Sequence, residues 1–208
     1  MKTNIAVLVS GGGTNLQALI DAQARGELGG GEITAVISSK AGAYALERAA
    51  KAGIPGYVLP RKDFDSNRAM TIALVDMLKK LDIQLIVLAG CMVIFTEELV
   101  QAYPNAIMNV HPALIPSFCG EGFYGLHVHE KALEYGVKLS GATVHFVTEE
   151  CDGGPIIAQQ AVPVLPGDTP EILQKRIMEQ AEWKLLPEAV KLFCEDRISV
   201  DGRTVIIK

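Results

Sequence analysis

Short, unbroken apolar runs recur along this chain, each followed by a stretch with helical spacing. They are Asn4-Ile5-Ala6-Val7-Leu8-Val9, Ile33-Thr34-Ala35-Val36-Ile37 and Gln84-Leu85-Ile86-Val87-Leu88-Ala89. A strand that faces water on one side alternates polar and apolar residues, so runs without alternation predict strands buried on both faces, as in a parallel sheet layered between helices. After the first run come Ser10-Gly11-Gly12-Gly13 and a helix marked by Leu16, Leu19 and Ile20. After the second, Ala43 to Ala52 reads as a helix stopped by Gly53, and a short strand follows around Tyr57-Val58-Leu59. Asp65-Ser66-Asn67 then offers capping oxygens to a helix through Ile72, Val75, Leu78 and Leu81. The expectation is an α/β fold: a doubly wound, mostly parallel sheet, Rossmann-like in its N-terminal half, with a mixed C-terminal extension.

The second half is less regular. A helix over Thr96 to Tyr103 leads to a strand built on Ala106-Ile107-Met108 and ending at Asn109, and a long loop follows, Leu114 to Tyr124, rich in Pro, Gly and aromatics. A short helix near Val128 to Tyr135 precedes the strand Gly141 to Val147, whose neighbour is expected at Ile156 to Val164. Thr169 is the expected N-cap of a long helix with Pro170 at its first position, running through Ile177 and Ala181 until Pro187 interrupts or kinks it. Arg197 to Lys208 reads as a closing hairpin around Asp201-Gly202.

The chain has 208 residues, 49% of them apolar, which suffices for one domain with a substantial core. A net charge of −5 argues against a broad nucleic-acid surface. Neither a signal peptide nor a membrane-spanning run is read, so a soluble, cytoplasmic protein without membrane partners is expected. Cys91, Cys119, Cys151 and Cys194 are too widely spaced for a CxxC pair or a zinc knuckle, and none has a base beside it in sequence to make it a nucleophile.

Chemistry concentrates at Asn109-Val110-His111-Pro112. Residues two apart on an extended segment share a face, so a carboxamide and an imidazole point the same way while Pro112 ends the strand. An amide N–H can hold a developing oxyanion, and an imidazole can move a proton near neutral pH. Asp152, in Cys151-Asp152-Gly153-Gly154-Pro155, follows the neighbouring strand and is expected to reach His111, raise its pKa and orient it. His145 shares a face with Thr143, and a structural or a site role is equally open to it. His127 and His129 read as surface histidines, Met92 and Phe95 as possible core, and Glu149 and Glu150 as a solvated turn. The glycine cluster Ser10-Gly11-Gly12-Gly13-Thr14-Asn15 is neither a dinucleotide fingerprint nor a Walker loop, and it fits a phosphate-binding turn or a plain turn with Thr14 as N-cap.

Three segments together, Asn109 to Pro116, Gly141 to Val147 and Asp152 to Ile157, resemble the folate-dependent formyltransferases, and Gly13-Thr14-Asn15 matches them too. The likeness covers nearly the whole chain and is strongest to the branch that formylates glycinamide ribonucleotide in purine synthesis. It implies 10-formyltetrahydrofolate as cosubstrate, small-molecule substrates and no metal, with monomer and homodimer both open. It further implies a nucleotide-binding half, 1–104, and a catalytic and folate-binding half, 105–208. Carried over by position, Gly13, Thr14 and Asn15 would hold the phosphate and Glu182 the ribose. Arg68, Met92, Val93, Ile94, Phe95, Asn109, Thr148, Glu149, Glu150, Cys151 and Asp152 would frame the folate, and Asn109, His111 and Asp152 would form the catalytic set. Val93 and Asn67 stand where the family often has arginines, Ala113 stands where serine is commoner, and the Ser117 to Tyr124 loop is longer than in many relatives. Rival readings are a formyltetrahydrofolate deformylase, for which an extra N-terminal domain is expected, and a methionyl-tRNA formyltransferase, for which an RNA-binding domain is expected. Outside formyl chemistry, a metal hydrolase could be drawn from His111, His145, Asp152 and His127 or His129, and a nucleotide-binding module would need only the glycine cluster.

Overall fold

The computed structural model describes residues 2–208. In chain order they form β1 (Thr3–Val9), α1 (Thr14–Ala24), β2 (Gly31–Ser38), α2 (Tyr44–Lys51), β3 (Gly56–Val58), α3 (Asn67–Lys80), β4 (Leu85–Leu88), α4 (Glu97–Ala102) and β5 (Ile107–His111). Then follow α5 (Leu126–Tyr135), β6 (Leu139–Phe146), β7 (Ile156–Pro163), α6 (Pro170–Ile177), a wide π-type turn (Met178–Glu182), α7 (Trp183–Cys194), β8 (Ile198–Asp201) and β9 (Thr204–Ile207).

All these strands join one sheet in the order β3-β2-β1-β4-β5-β6-β7-β9-β8. The first five are parallel, β6 runs antiparallel to both β5 and β7, β9 pairs parallel with β7, and β8 closes the sheet antiparallel to β9. The central strands β1, β2, β4, β5 and β6 are buried on both sides, while β3, β8 and β9 are largely exposed. On β1, Ile5, Val7 and Val9 turn to a core shared with α1 and α7, while Ala6 and Leu8 turn to a second core against α3 and α4. Burying a Leu, Ile or Val side chain fully stabilises by about 1.5–3 kcal/mol, so these two layers are the main support of the fold.

The strand order reverses direction between β1 and β4, which opens a crevice at the carboxyl ends of the parallel strands. Two hydrogen bonds tie the loops there: Ser10 Oγ lies 2.8 Å from Ser39 Oγ, and the Met92 N–H donates to Ser10 Oγ at 2.9 Å.

Three local expectations need correction. The first concerns Thr14, which begins α1 and does not cap it; the capping position is Gly13, left-handed at φ 70°, with no side-chain cap. Only glycine fits there, because a Cβ would lie 2.6 Å from that of Ala45. The second concerns Pro187, which sits inside α7 without interrupting it. The helical path instead widens just upstream, at Met178–Glu182. The third is His129, expected at the surface and found fully buried on α5, with neither ring nitrogen hydrogen-bonded. Residues two apart on a helix lie roughly 200° apart around its axis, so His127 faces water beside Glu130 while His129 faces the core. Burial, with a smaller contribution from His111, pushes the His129 pKa down to about 4. The Ser66 and Thr169 caps are formed as expected, each accepting a backbone N–H.

Candidate active site

Strand pairing aligns the reactive groups before any side chain is considered. In the antiparallel register of β5 and β6, Asn109 stands opposite His145 and His111 opposite Thr143. Thr143 anchors the segment after Pro112, since its hydroxyl donates to the Ala113 carbonyl at 2.7 Å and accepts the Ile115 N–H at 3.1 Å. Asp152 enters from the loop joining β6 to β7, with a left-handed backbone at φ 52°. That loop hugs β6 because of Gly154, where a Cβ would collide with the Phe146 carbonyl oxygen.

The three sequence-predicted groups converge. Asp152 Oδ2 lies 3.4 Å from His111 Nδ1, and its Oδ1 accepts from Asn109 Nδ2 at 3.4 Å. His145 completes the cluster: its Nδ1 donates to the Phe146 carbonyl at 2.9 Å, which leaves Nε2 to accept from Asn109 Nδ2 at 3.2 Å. It also stands 3.6 Å from Asp152 Oδ1. Asn109 is therefore held with its amide nitrogen toward the cluster.

The long loop touches this cluster through main-chain atoms. The Phe118 carbonyl lies 2.8 Å from His111 Nε2, and the Gly120 N–H donates to Asp152 Oδ2 at 3.0 Å. Phe118 adopts φ 51° and packs edge-on against Phe123 and Tyr135. These backbone partners carry no sequence signal beyond the glycines at 120 and 122, whose positive φ permits the turns.

Protonation departs from expectation. Burial pulls the His111 pKa below 6.5, and it outweighs the opposing pull of the Asp152 carboxylate and the Phe118 carbonyl. The resting ring is thus neutral at pH 7, with its proton on Nε2 facing Phe118. Bare Nδ1 then faces a carboxylate, which fits the longer 3.4 Å separation. For Asp152, burial raises the pKa, but His145, His111 and the Gly120 N–H outweigh it, and the carboxyl stays below its ordinary 3.8.

Around the cluster lies a cavity of about 1110 Å³, lined on one wall by Met92, Val93, Ile94 and Phe95 and on the other by Val147 to Asp152. Met92 and Ile94 are exposed, so Met92 is no core residue, whereas Phe95 packs on the core below β4. Arg68, at the outer end, pairs with Glu98. Glu149 and Glu150 are exposed, as a solvated turn should be. Cys91 and Cys151 border the same space and Cys119 precedes the lining residue Gly120, but burial raises the pKa of each, which disfavours the thiolate a nucleophile needs.

The glycine turn after β1 lies next door, joined through Ser10 and Met92. Asn15 points across it and donates to Glu182 at 2.6 Å, leaving its Oδ1 buried without a partner among the described residues. Thr14 Oγ1 lies 3.8 Å from Met178 Sδ. Arg48, unnoticed in the sequence because it sits 35 positions beyond Gly13 on α2, donates to the Gly12 carbonyl at 2.8 Å and brings a cation to this turn. Burial lifts Glu182 from 4.5 to about 7, with the Asn15 bond opposing. Because the folded pKa is the higher one, the stabilisation tied to its proton is complete below pH 4.5 and is lost as pH rises through about 7. That shift corresponds to on the order of 3 kcal/mol. Glu182→Gln, which cannot ionise, is expected to flatten this part of the curve of urea midpoint against pH; an unchanged slope would mean the carboxyl is not the titrating group.

Among the described residues no group of three or more His, Cys, Asp or Glu side chains is placed to hold a metal ion, and no helix is long and apolar enough to cross a membrane. The model of the formyl transferase family matches residues 3–190. The chain is 45% identical to phosphoribosylglycinamide formyltransferase of Haemophilus influenzae, over 93% of this chain and 88% of that one. Its fold superposes on the crystal structure of glycinamide ribonucleotide transformylase 1 from Symbiobacterium toebii with a TM-score of 0.93 and 44% identity, covering 99% of this chain and 94% of that one. A formyltetrahydrofolate deformylase from Pseudomonas syringae superposes with a TM-score of 0.88 at 27% identity, and the match spans all of this chain but 66% of that one.

Proposed function

The chain belongs to the formyl transferase family, and from that premise we infer that it transfers a formyl group from a formyl-folate to the amine of glycinamide ribonucleotide, a step of purine biosynthesis. The donor assigned is 10-formyltetrahydrofolate. The observation that carries the reading is the meeting of Asn109, His111 and Asp152 in a cavity adjoining the glycine turn.

In this reading the amine attacks the formyl carbon, a C–N bond forms, and the carbonyl electron pair moves onto oxygen. Asn109 Nδ2 donates to that oxyanion, a contact stronger in the transition state than in the ground state. His111, neutral at rest, takes the amine proton and becomes an imidazolium beside Asp152. The oxyanion's electron pair then re-forms the C=O bond as the bond from the formyl carbon to the folate nitrogen breaks; that bond's pair stays on the nitrogen, and His111 returns the proton there. Nε2 serves once the Phe118 carbonyl has moved aside and the ring proton has passed to Nδ1, where the Asp152 carboxylate accepts it in a hydrogen bond. No protein nucleophile is required.

Binding roles follow the two halves only in part, with the phosphate held in residues 1–104 and both halves contributing to the ribose and folate sites. Gly13, Thr14 and Asn15 take the phosphate and Glu182 the ribose hydroxyls. Met92, Val93, Ile94 and Phe95 give the pteridine an apolar wall, Thr148, Glu149, Glu150, Cys151 and Asp152 frame its polar edge, and Arg68 faces the tail.

The second reading, hydrolysis of the same donor, is supported by the deformylase likeness, since this cluster could equally activate water. Absorbance-monitored folate release separates them. Release that requires glycinamide ribonucleotide is expected; equal release without it would mean hydrolysis and overturn the assignment.

A further inference from the structure

Successive carbonyls along the glycine turn are all occupied. The Gly11 carbonyl accepts the Ala45 N–H at 3.1 Å, the Gly12 carbonyl accepts Arg48 Nε–H at 2.8 Å, and the Gly13 carbonyl accepts the Gln17 N–H at 2.9 Å. In a trans peptide the carbonyl and the next N–H point in opposite directions, so holding these oxygens against α2 and α1 turns the N–H groups of Gly12, Gly13 and Thr14 outward. None of those N–H groups donates to a backbone carbonyl among the described residues. A run of outward N–H groups at the start of a helix suits a phosphate.

The middle peptide is the vulnerable one. It joins two glycines, whose lack of a Cβ lets the plane turn over at little steric cost, and a turned plane would present the Gly12 oxygen to the anion in place of the Gly13 N–H. The peptides on either side are held by main-chain donors of α2 and α1, whereas this one is held by a single side chain. Arg48 is braced for it: Nη1 donates to Gln17 Oε1 at 2.9 Å, and the guanidinium carbon lies 5.0 Å from the centre of the Tyr44 ring. Resting on the reading above that places the substrate phosphate at this turn, we propose that Arg48 is a positioning residue for that phosphate, acting through the Gly12 carbonyl to lock the Gly12–Gly13 peptide with its N–H toward the ligand.

The test is steady-state kinetics of Arg48→Met, which keeps an apolar stem and removes the donor. Loss of a charge-assisted hydrogen bond is expected to raise KM for glycinamide ribonucleotide about tenfold, with kcat at saturation and KM for the formyl-folate changed by less than about twofold. The inhibition constant of ribose 5-phosphate, competing with the ribonucleotide, is expected to rise by the same factor, an effect that a general loosening of the fold would not single out. Arg48→Lys, which retains a cationic donor for the Gly12 carbonyl, is expected to recover most of the lost affinity. An unchanged ribonucleotide KM in Arg48→Met, or a kcat and folate KM that worsen in parallel with it, would overturn the proposal. Should that variant fail to fold, Gln17→Ala removes only the brace and is expected to raise the same KM about threefold, and an unchanged value there overturns the proposal equally. Folate release by the unaltered enzyme without glycinamide ribonucleotide would count against the transfer reading instead, so the two failures are told apart.

Discussion

Replacing Asn109 with alanine is expected to lower kcat by roughly 10²–10³, with KM for either substrate changed much less. Its amide nitrogen is the neutral donor at the cluster, held by His145 Nε2 at 3.2 Å and loosely by Asp152 at 3.4 Å. The long contact is the one that can be given up when an oxyanion arrives. Loss of one such donor typically costs about 2.7–4 kcal/mol of transition-state stabilisation. The truncation also leaves His145 Nε2 without its donor in a buried position, so a fall of about 1–3 kcal/mol in unfolding free energy should accompany it. Single-turnover kinetics and a urea titration separate the two effects. A variant that turns over at the parental rate would remove Asn109 from the reaction.

For Asp152→Asn a loss of about 10²–10⁴ in kcat is expected, with folate binding largely retained. The carboxylate is what opposes burial at His111, so its removal lets the histidine pKa fall further below 6.5. With His111 acting as the base, the acid limb of the rate profile should move to lower pH as the plateau collapses. The amide can still accept the Gly120 N–H, so the loop contact is preserved and the charge alone is tested. A parental rate, or an acid limb displaced upward, would contradict the role given to the pair.

The fold was legible where the sequence obeys one simple physical rule. Unalternating apolar runs at 4–9, 33–37 and 84–89 became central parallel strands, and Ser66 and Thr169 became caps, because those signals act locally. Asn109, His111 and Asp152 could be brought together on paper because strand periodicity and adjacent strand ends suffice for it. What escaped depends on tertiary packing. The face that α5 presents to the core decides that His129 is buried and His127 is not, and no local pattern discloses it. Pro187 is carried inside α7 beyond a widened turn, and its local sequence does not disclose that the helix continues through it. The neutral state of His111 follows from how much of the fold covers it, while the carboxylate beside it, which sequence does disclose, pulls the other way. Arg48 meets the glycine turn only because α2 packs beside α1, which that turn precedes.

Phe118 and Gly120 address the acid and the base with a carbonyl and an amide that every non-proline residue possesses. The residues of the 117–124 segment can therefore be exchanged widely without rewriting the reaction, so long as its path is kept. Shortening it by a single position would withdraw both partners at once.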